Sequence, residues 1–174
     1  LQHVSAYQVS YPDNGYRIFH PPTYCATEPS DEEVPNNLKA DWMSIVNEAV
    51  LDWKTQLQNA EVDNVQYWEI NYFQIPSGES YSDYDCDIPI FFKQYPDDPE
   101  KYYKVIGTFF SSPPHIDLYY WKGGNCYDPA GALDCYNTGE FLSQDQMSWV
   151  ARHEIGHSLA LGHYTTDDNE VNEM

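Results

Sequence analysis

Basic residues are scarce in this chain: 8 lysines and arginines stand against 28 aspartates and glutamates, a formal net charge of -20 over 174 residues. Nucleic acid and anionic membrane both require a basic footprint to displace counterions, so we expect neither as a partner. An acidic surface suits cationic ligands and divalent cations, or forms a solvated coat fit for a salty or extracellular medium. Long apolar runs are missing as well. Aromatic stretches such as Tyr119, Tyr120 and Trp121 are cut short by charge or proline, so no segment reads as a membrane span and the chain is expected to be soluble. There is no internal repeat, no low-complexity tract and no linker long enough to separate domains. The chain opens Leu-Gln-His without an initiator Met, a basic n-region or an apolar h-region, and we expect that any signal or pro-segment was removed or lies outside this sequence.

What is present suffices for one core. A chain of 174 residues with 41% hydrophobic content is expected to form a single domain, long enough to divide around a cleft. The cysteines are even in number: Cys25, Cys86, Cys126 and Cys135. Cys126 and Cys135 bracket "YDPAGALD", whose turn chemistry brings its ends together, so we expect Cys126 to pair with Cys135 and Cys25 with Cys86. With the acidic coat and sparse lysine, disulfides imply a secreted, extracellular protein; the alternative is four buried thiols in a reducing compartment.

Periodicity orders the chain. "YRIFH" (16 to 20) reads as a short strand closed by Pro21 and Pro22, followed by the polar loop "PSDEEVPNN". Leu38, Trp42, Val46, Ala49, Val50, Trp53 and Leu57 recur at three- and four-residue steps, one face of an amphipathic helix that Asn36 or Asn37 could cap. Strands are expected at 65 to 75, 86 to 95, 104 to 110 and 115 to 121, with Pro89 setting the second of these near an edge or a bulge. A last helix should run from about Gln144 to beyond His157, started by a capping box of Ser143 and Gln146 with Asp145 in its first turn. The layout is α+β: a sheet backed by helices, the long one and this second one.

That second helix holds "RHEIGHSLALGH", residues 152 to 163, which contains three of the chain's six histidines. His153 and His157 are four apart, on one face and one turn from each other, so two imidazoles can grip one ion. Glu154, beside the first ligand, projects next to the metal instead of onto it. A hydrolytic zinc needs two neutral nitrogens and a carboxylate that takes a proton from the attacking water. His163 is a third ligand if the chain leaves the helix before it, and Gly162 supplies a residue that tolerates the bend.

"HEIGHSLALGH" resembles the extended zinc signature of the metzincin metalloproteases, H-E-x-x-H-x-x-G-x-x-H, and is most similar to the matrixin branch, which includes the matrix metalloproteinases. "YRIFH", "AVLDWKTQL", "CDIPIFFKQ" and "VIGTFF" with "IDLYY" follow in the order of that family's strands and first helix. The resemblance implies a secreted zinc endopeptidase. Its Zn2+ would be held by His153, His157 and His163, with Glu154 as general base. The edge strand Ile106, Gly107, Thr108 and Phe109 would pair with an extended peptide substrate. It also implies a mixed twisted sheet backed by the long helix and the active-site helix, an upper lobe over residues 1–163, the start of a short or truncated lower lobe over 164–174, and Met174 in the turn beneath the metal; we expect a monomer.

Three departures stand out. Ala160 occupies the position of the family's glycine, so either Ala160 adopts a left-handed conformation or the bend shifts to Gly162. The chain ends at Met174, before the rest of the lower lobe. The family's structural-zinc loop is not recognisable, and His115 with Asp117 reads as a surface pair. Cys25 does not lie in a match to the matrixin latency segment. Ca2+ is common in the family, and Asp97 with Asp98 or Asp167 with Asp168 could supply oxygens, although no spacing resembles a calcium loop. The competing expectation is a zinc-stabilised binding or adhesion module with weak or no turnover; Glu154 counts against it, since a structural site needs no such carboxylate.

Overall fold

The computed structural model describes residues 20–30, 32, 34–59, 69–94, 105–121 and 140–162, together with the backbone of 164–165 and 171–172. Residues 16–19 and 65–68 of the expected strands lie outside them, as do Cys126, Cys135, His163, Met174 and the acidic pairs proposed for calcium. Over the described residues the chain is α+β, with a five-stranded mixed sheet and two α-helices. Among the described residues no helix is long and apolar enough to cross a membrane.

Helix α1, Asn36–Asn59, buries Trp42, Met43, Val46, Ala49 and Val50, while Leu38, Trp53 and Leu57 pack partly buried against the same core. This is the face set out by the periodicity. Its start differs from expectation: the Pro35 carbonyl accepts the Lys39 N–H at 3.1 Å, which puts Asn36 and Asn37 inside the first turn instead of at the cap. Helix α2, Gln144–Ser158, begins on the expected capping box. The Ser143 hydroxyl accepts from the Gln146 N–H at 3.2 Å, and the Gln146 side chain accepts from the Ser143 N–H at 3.0 Å.

Strands β1 (Thr23–Ala26), β2 (Asn71–Gln74), β3 (Ile88–Lys93), β4 (Gly107–Ser111) and β5 (Pro114–Tyr119) lie in the order β2-β1-β3-β5-β4. All neighbours are parallel except β4 and β5, which form an antiparallel hairpin around Ser112 and Pro113. A further short antiparallel pair, β6 (Tyr164–Thr165) with β7 (Val171–Asn172), follows α2.

Of the expected strand over 16 to 20 only His20 is described, in a bend, and Pro21 and Pro22 lead into Thr23–Ala26. One sequence expectation is corrected here. Pro89 sits in the central strand, not at an edge or bulge: it pairs with Cys25 of β1, and pairing with β5 opens only at Ile90.

Alternation sorts the sheet's two faces. Tyr24, Ala26, Ile88, Ile90, Ile116 and Leu118 point to the helices and join Trp42, Val46, Val50, Met147, Val150, Ala151 and Ile155 in one core. Trp42, fully buried, stacks on Phe92 and Tyr120 at centroid distances of 6.0 and 5.4 Å and meets Phe141 edge-on at 6.0 Å. On the other face Cys25 and Cys86 form the expected disulfide, with a Cα separation of 5.9 Å. It closes a loop of sequence separation 61, worth about 4 kcal/mol by chain-entropy arithmetic.

Candidate active site

Helix α2 underlies the β4 end of the sheet, and its sequence decides what each face meets. Met147, Val150, Ala151 and Ile155 enter the core, which leaves His153 and Glu154 buried at its margin with 8% and 5% exposure. The four-residue spacing brings the His153 and His157 rings to 4.4 Å between centroids, nearly perpendicular, with their Nε2 atoms 2.9 Å apart. Two nitrogens bound to one tetrahedral zinc at ~2.05 Å stand about 3.3 Å apart. The observed Nε2 separation is within a few tenths of an ångström of that spacing.

Two contacts orient the rings. His157 Nδ1 lies 2.8 Å from the Leu161 carbonyl oxygen. A carbonyl only accepts, so Nδ1 carries the proton and Nε2 keeps the lone pair a metal would use. Trp149, one turn before His153, stacks on that ring at 4.9 Å with an interplanar angle of 19°. Around them α1 is tied to α2: the Trp53 indole N–H donates to the Arg152 carbonyl at 2.8 Å, and the Arg152 Nε donates to Asp52 at 2.7 Å. A cleft of about 510 Å³ opens beside His153 between Trp53, Trp149 and Arg152.

The chain leaves the helix through a Schellman closure. The Ala160 N–H donates to the His157 carbonyl at 2.9 Å and the Leu161 N–H to the Gly156 carbonyl at 3.1 Å. Ala160 adopts a φ of 63°, so the bend falls on Ala160 and not on Gly162. The same bend presents the Leu161 carbonyl to His157. Behind the last turn, Ser158 and Tyr24 share a buried hydrogen bond of 2.7 Å, anchoring the end of α2 to β1.

Glu154 faces β4. Burial pushes its carboxyl up to about 7, against the opposing effect of the Phe109 N–H, which donates to the carboxylate. A carboxylate so poised accepts a proton near neutral pH and gives it back. Ile106 to Phe109 lie along the outer strand, and no further strand pairs with β4 among the described residues. Among those residues no cluster of three or more His, Cys, Asp or Glu side chains could hold a metal ion. The described part of the candidate centre is thus two imidazoles and one carboxylate.

His115 and Asp117 are not the surface pair expected. Asp117 is 2% exposed and accepts a hydrogen bond from Lys93 Nζ at 2.7 Å, with His115 Nε2 4.0 Å from its other oxygen. Parallel pairing of β3 with β5 causes this, because Lys93 and Asp117 then share the face away from the helices. The sequence also hid Trp149 and Leu161. The i to i+4 spacing of Trp149 and His153 is a readable signal; the Leu161 carbonyl acquires its role only once the helix end is known. Compared with known proteins, the chain matches no family profile, no curated protein and no solved structure at a significant level.

Proposed function

We propose that this protein is a secreted zinc-dependent endopeptidase of metzincin type, similar to the matrixins, acting on extended protein or peptide substrates. The observation that carries the proposal is the convergence of the His153 and His157 Nε2 atoms at 2.9 Å, with the buried Glu154 carboxyl on the next residue under the outer strand. Ala160 adds support, because at the position of the family's glycine it takes the left-handed φ of 63° that a glycine would take. The Cys25–Cys86 disulfide is consistent with an extracellular setting.

His153 and His157 would hold the zinc, together with His163. Bound there, zinc would supply Lewis acidity, polarising the scissile carbonyl and acidifying a water. Glu154 takes the proton from the attacking water and delivers it to the leaving amine. The Leu161 carbonyl keeps His157 in the ligating tautomer. The outward main-chain groups of Gly107 and the outward carbonyl of Phe109 hold the peptide extended by strand addition.

The test is metal content by mass spectrometry on protein purified without added metal, alongside cleavage of a mixed peptide library. We expect one zinc per chain, lost or loosened in His163→Ala, and cleavage reduced at least about 100-fold in Glu154→Ala. Absence of zinc, or cleavage that survives Glu154→Ala, overturns the proposal.

A further inference from the structure

The backbone of β4 alternates in the direction it faces. The Tyr119 N–H donates to the Ile106 carbonyl at 3.0 Å, and the register sets Gly107 opposite Leu118 and Phe109 opposite Ile116. Hydrogen-bonded and open pairs alternate along an antiparallel ladder. Ile106, Thr108 and Phe110 therefore turn their main-chain groups to β5, and Gly107 and Phe109 turn theirs to the sheet's outer side. One of those outward donors, the Phe109 N–H, is engaged by the Glu154 carboxylate.

To reach it, the Glu154 side chain passes beneath Gly107. A Cβ built on Gly107 would stand 2.8 Å from Glu154 Cγ, 3.0 Å from Glu154 Oε1 and 2.4 Å from Val150 Cγ2. Gly107 has no positive φ, so its backbone does not demand glycine. The space does. Any side chain there must drive α2 from β4 or turn Glu154 aside.

We propose that Gly107 is a positioning residue, whose missing side chain opens the passage through which Glu154 reaches the Phe109 amide and is fixed beside the peptide-pairing edge. The catalytic meaning of this arrangement rests on Glu154 being the general base; the geometry itself does not. It also divides the edge between two users. A paired peptide takes the main-chain groups of Gly107 and the carbonyl of Phe109, and the Phe109 N–H stays with Glu154.

Amide exchange at Phe109, followed by NMR on the full chain, reads the contact directly. An outward edge amide should exchange quickly, yet Phe109 is expected to be protected, and Glu154→Ala should speed its exchange at least about 10-fold. Gly107→Ala should do the same with zinc content unchanged. In the active protein it should lower kcat at least about 10-fold with KM within about twofold, since a small misplacement of a reacting group is costly. Because Gly107→Ala also crowds Val150, the double variant Gly107→Ala with Val150→Ala separates packing from positioning: Tm should recover while Phe109 stays unprotected. Protection of Phe109 in Gly107→Ala equal to the parent, or its return together with Tm in the double variant, overturns the inference. If Phe109 protection follows the pattern but no variant and no parent protein cleaves peptide, the endopeptidase reading falls and the positioning of Glu154 by Gly107 stands.

Discussion

His157 and Leu161 are joined by a 2.8 Å hydrogen bond from the ring's Nδ1 to the carbonyl oxygen just beyond the helix end. One imidazole thus ties the exit of α2 to the candidate metal centre. Asparagine can place a donor near the Nδ1 position while offering nothing at Nε2. We expect His157→Asn to keep the Tm of the metal-free protein within about 2 °C, which is about 0.5–1 kcal/mol for a chain of this size. Zinc affinity should fall at least about 100-fold. Calorimetric zinc titration of both proteins checks this, and an unchanged affinity would remove His157 from the ligand set.

Ala160 holds its φ of 63° against the preference of its own Cβ. Left-handed backbone costs an L-residue with a side chain roughly 1–2 kcal/mol relative to glycine. Ala160→Gly should relieve some of that, offset by the greater freedom of glycine in the unfolded chain, for a net gain of a few tenths to about 1 kcal/mol and a Tm higher by up to about 3 °C. Ala160→Val should lower Tm. A fall in Tm for Ala160→Gly by scanning calorimetry would mean that the closure is not strained.

The placement of the candidate site was more legible in the sequence than the scaffold around it. His153, Glu154 and His157 follow from helical spacing alone, and the place where the helix must break is visible at Ala160 and Gly162. The helical periodicity of α1 and the capping box of α2 are legible for the same reason: each is set by residues within a turn or two of one another. Central strands are less so. Pro89 reads as an edge residue in the sequence because its missing donor matters only on a flank where a neighbour is paired, and that depends on where β5 begins. Asp117 reads as a surface residue because the identity of its partner, Lys93, is a property of sheet register. Gly107 gives no sign of its contact with Glu154, since that contact joins two elements distant in sequence.

Glu154 also sets a pH dependence on stability. Its carboxyl is raised by burial from 4.5 to about 7 in the folded chain. The folded state then binds more protons than the unfolded state between those values, so stability falls as pH rises through that window. The full effect is on the order of 3 kcal/mol. Metal-free protein is expected to be more stable to urea at pH 4.5 than at pH 8, after subtraction of the same profile for Glu154→Gln, in which this contribution is absent. Superimposable profiles for parent and variant would show that the carboxyl is not raised.

Lys93 is the counter-ion of a nearly inaccessible carboxylate, Asp117, at 2.7 Å. Removing one partner of such a pair strands the other charge, whereas neutralising both leaves little to strand. Lys93→Met should cost about 2 kcal/mol at pH 7, lessened from the fully buried case because Lys93 is partly exposed. Adding Asp117→Asn should restore about half of that loss. Chemical denaturation of the two variants measures both steps, and a Lys93→Met protein as stable as the parent would show the pair to be energetically neutral.

The position of β1 has a consequence for how the chain comes together. β1 lies between β2 and β3, both of which follow α1 in the sequence, so a chain emerging from its N-terminus presents β1 first and its two flanking strands much later. Until Ile88 arrives to meet Tyr24, the strand that will lie inside the sheet has no permanent neighbour on that side. Its cysteine is in the same position: Cys25 must wait for Cys86, two residues ahead of β3, before the native crosslink can close. Assembly of the sheet is therefore governed by non-local pairing, the slow regime for small domains, and an oxidant acting before β3 is in place would find Cys25 without its partner.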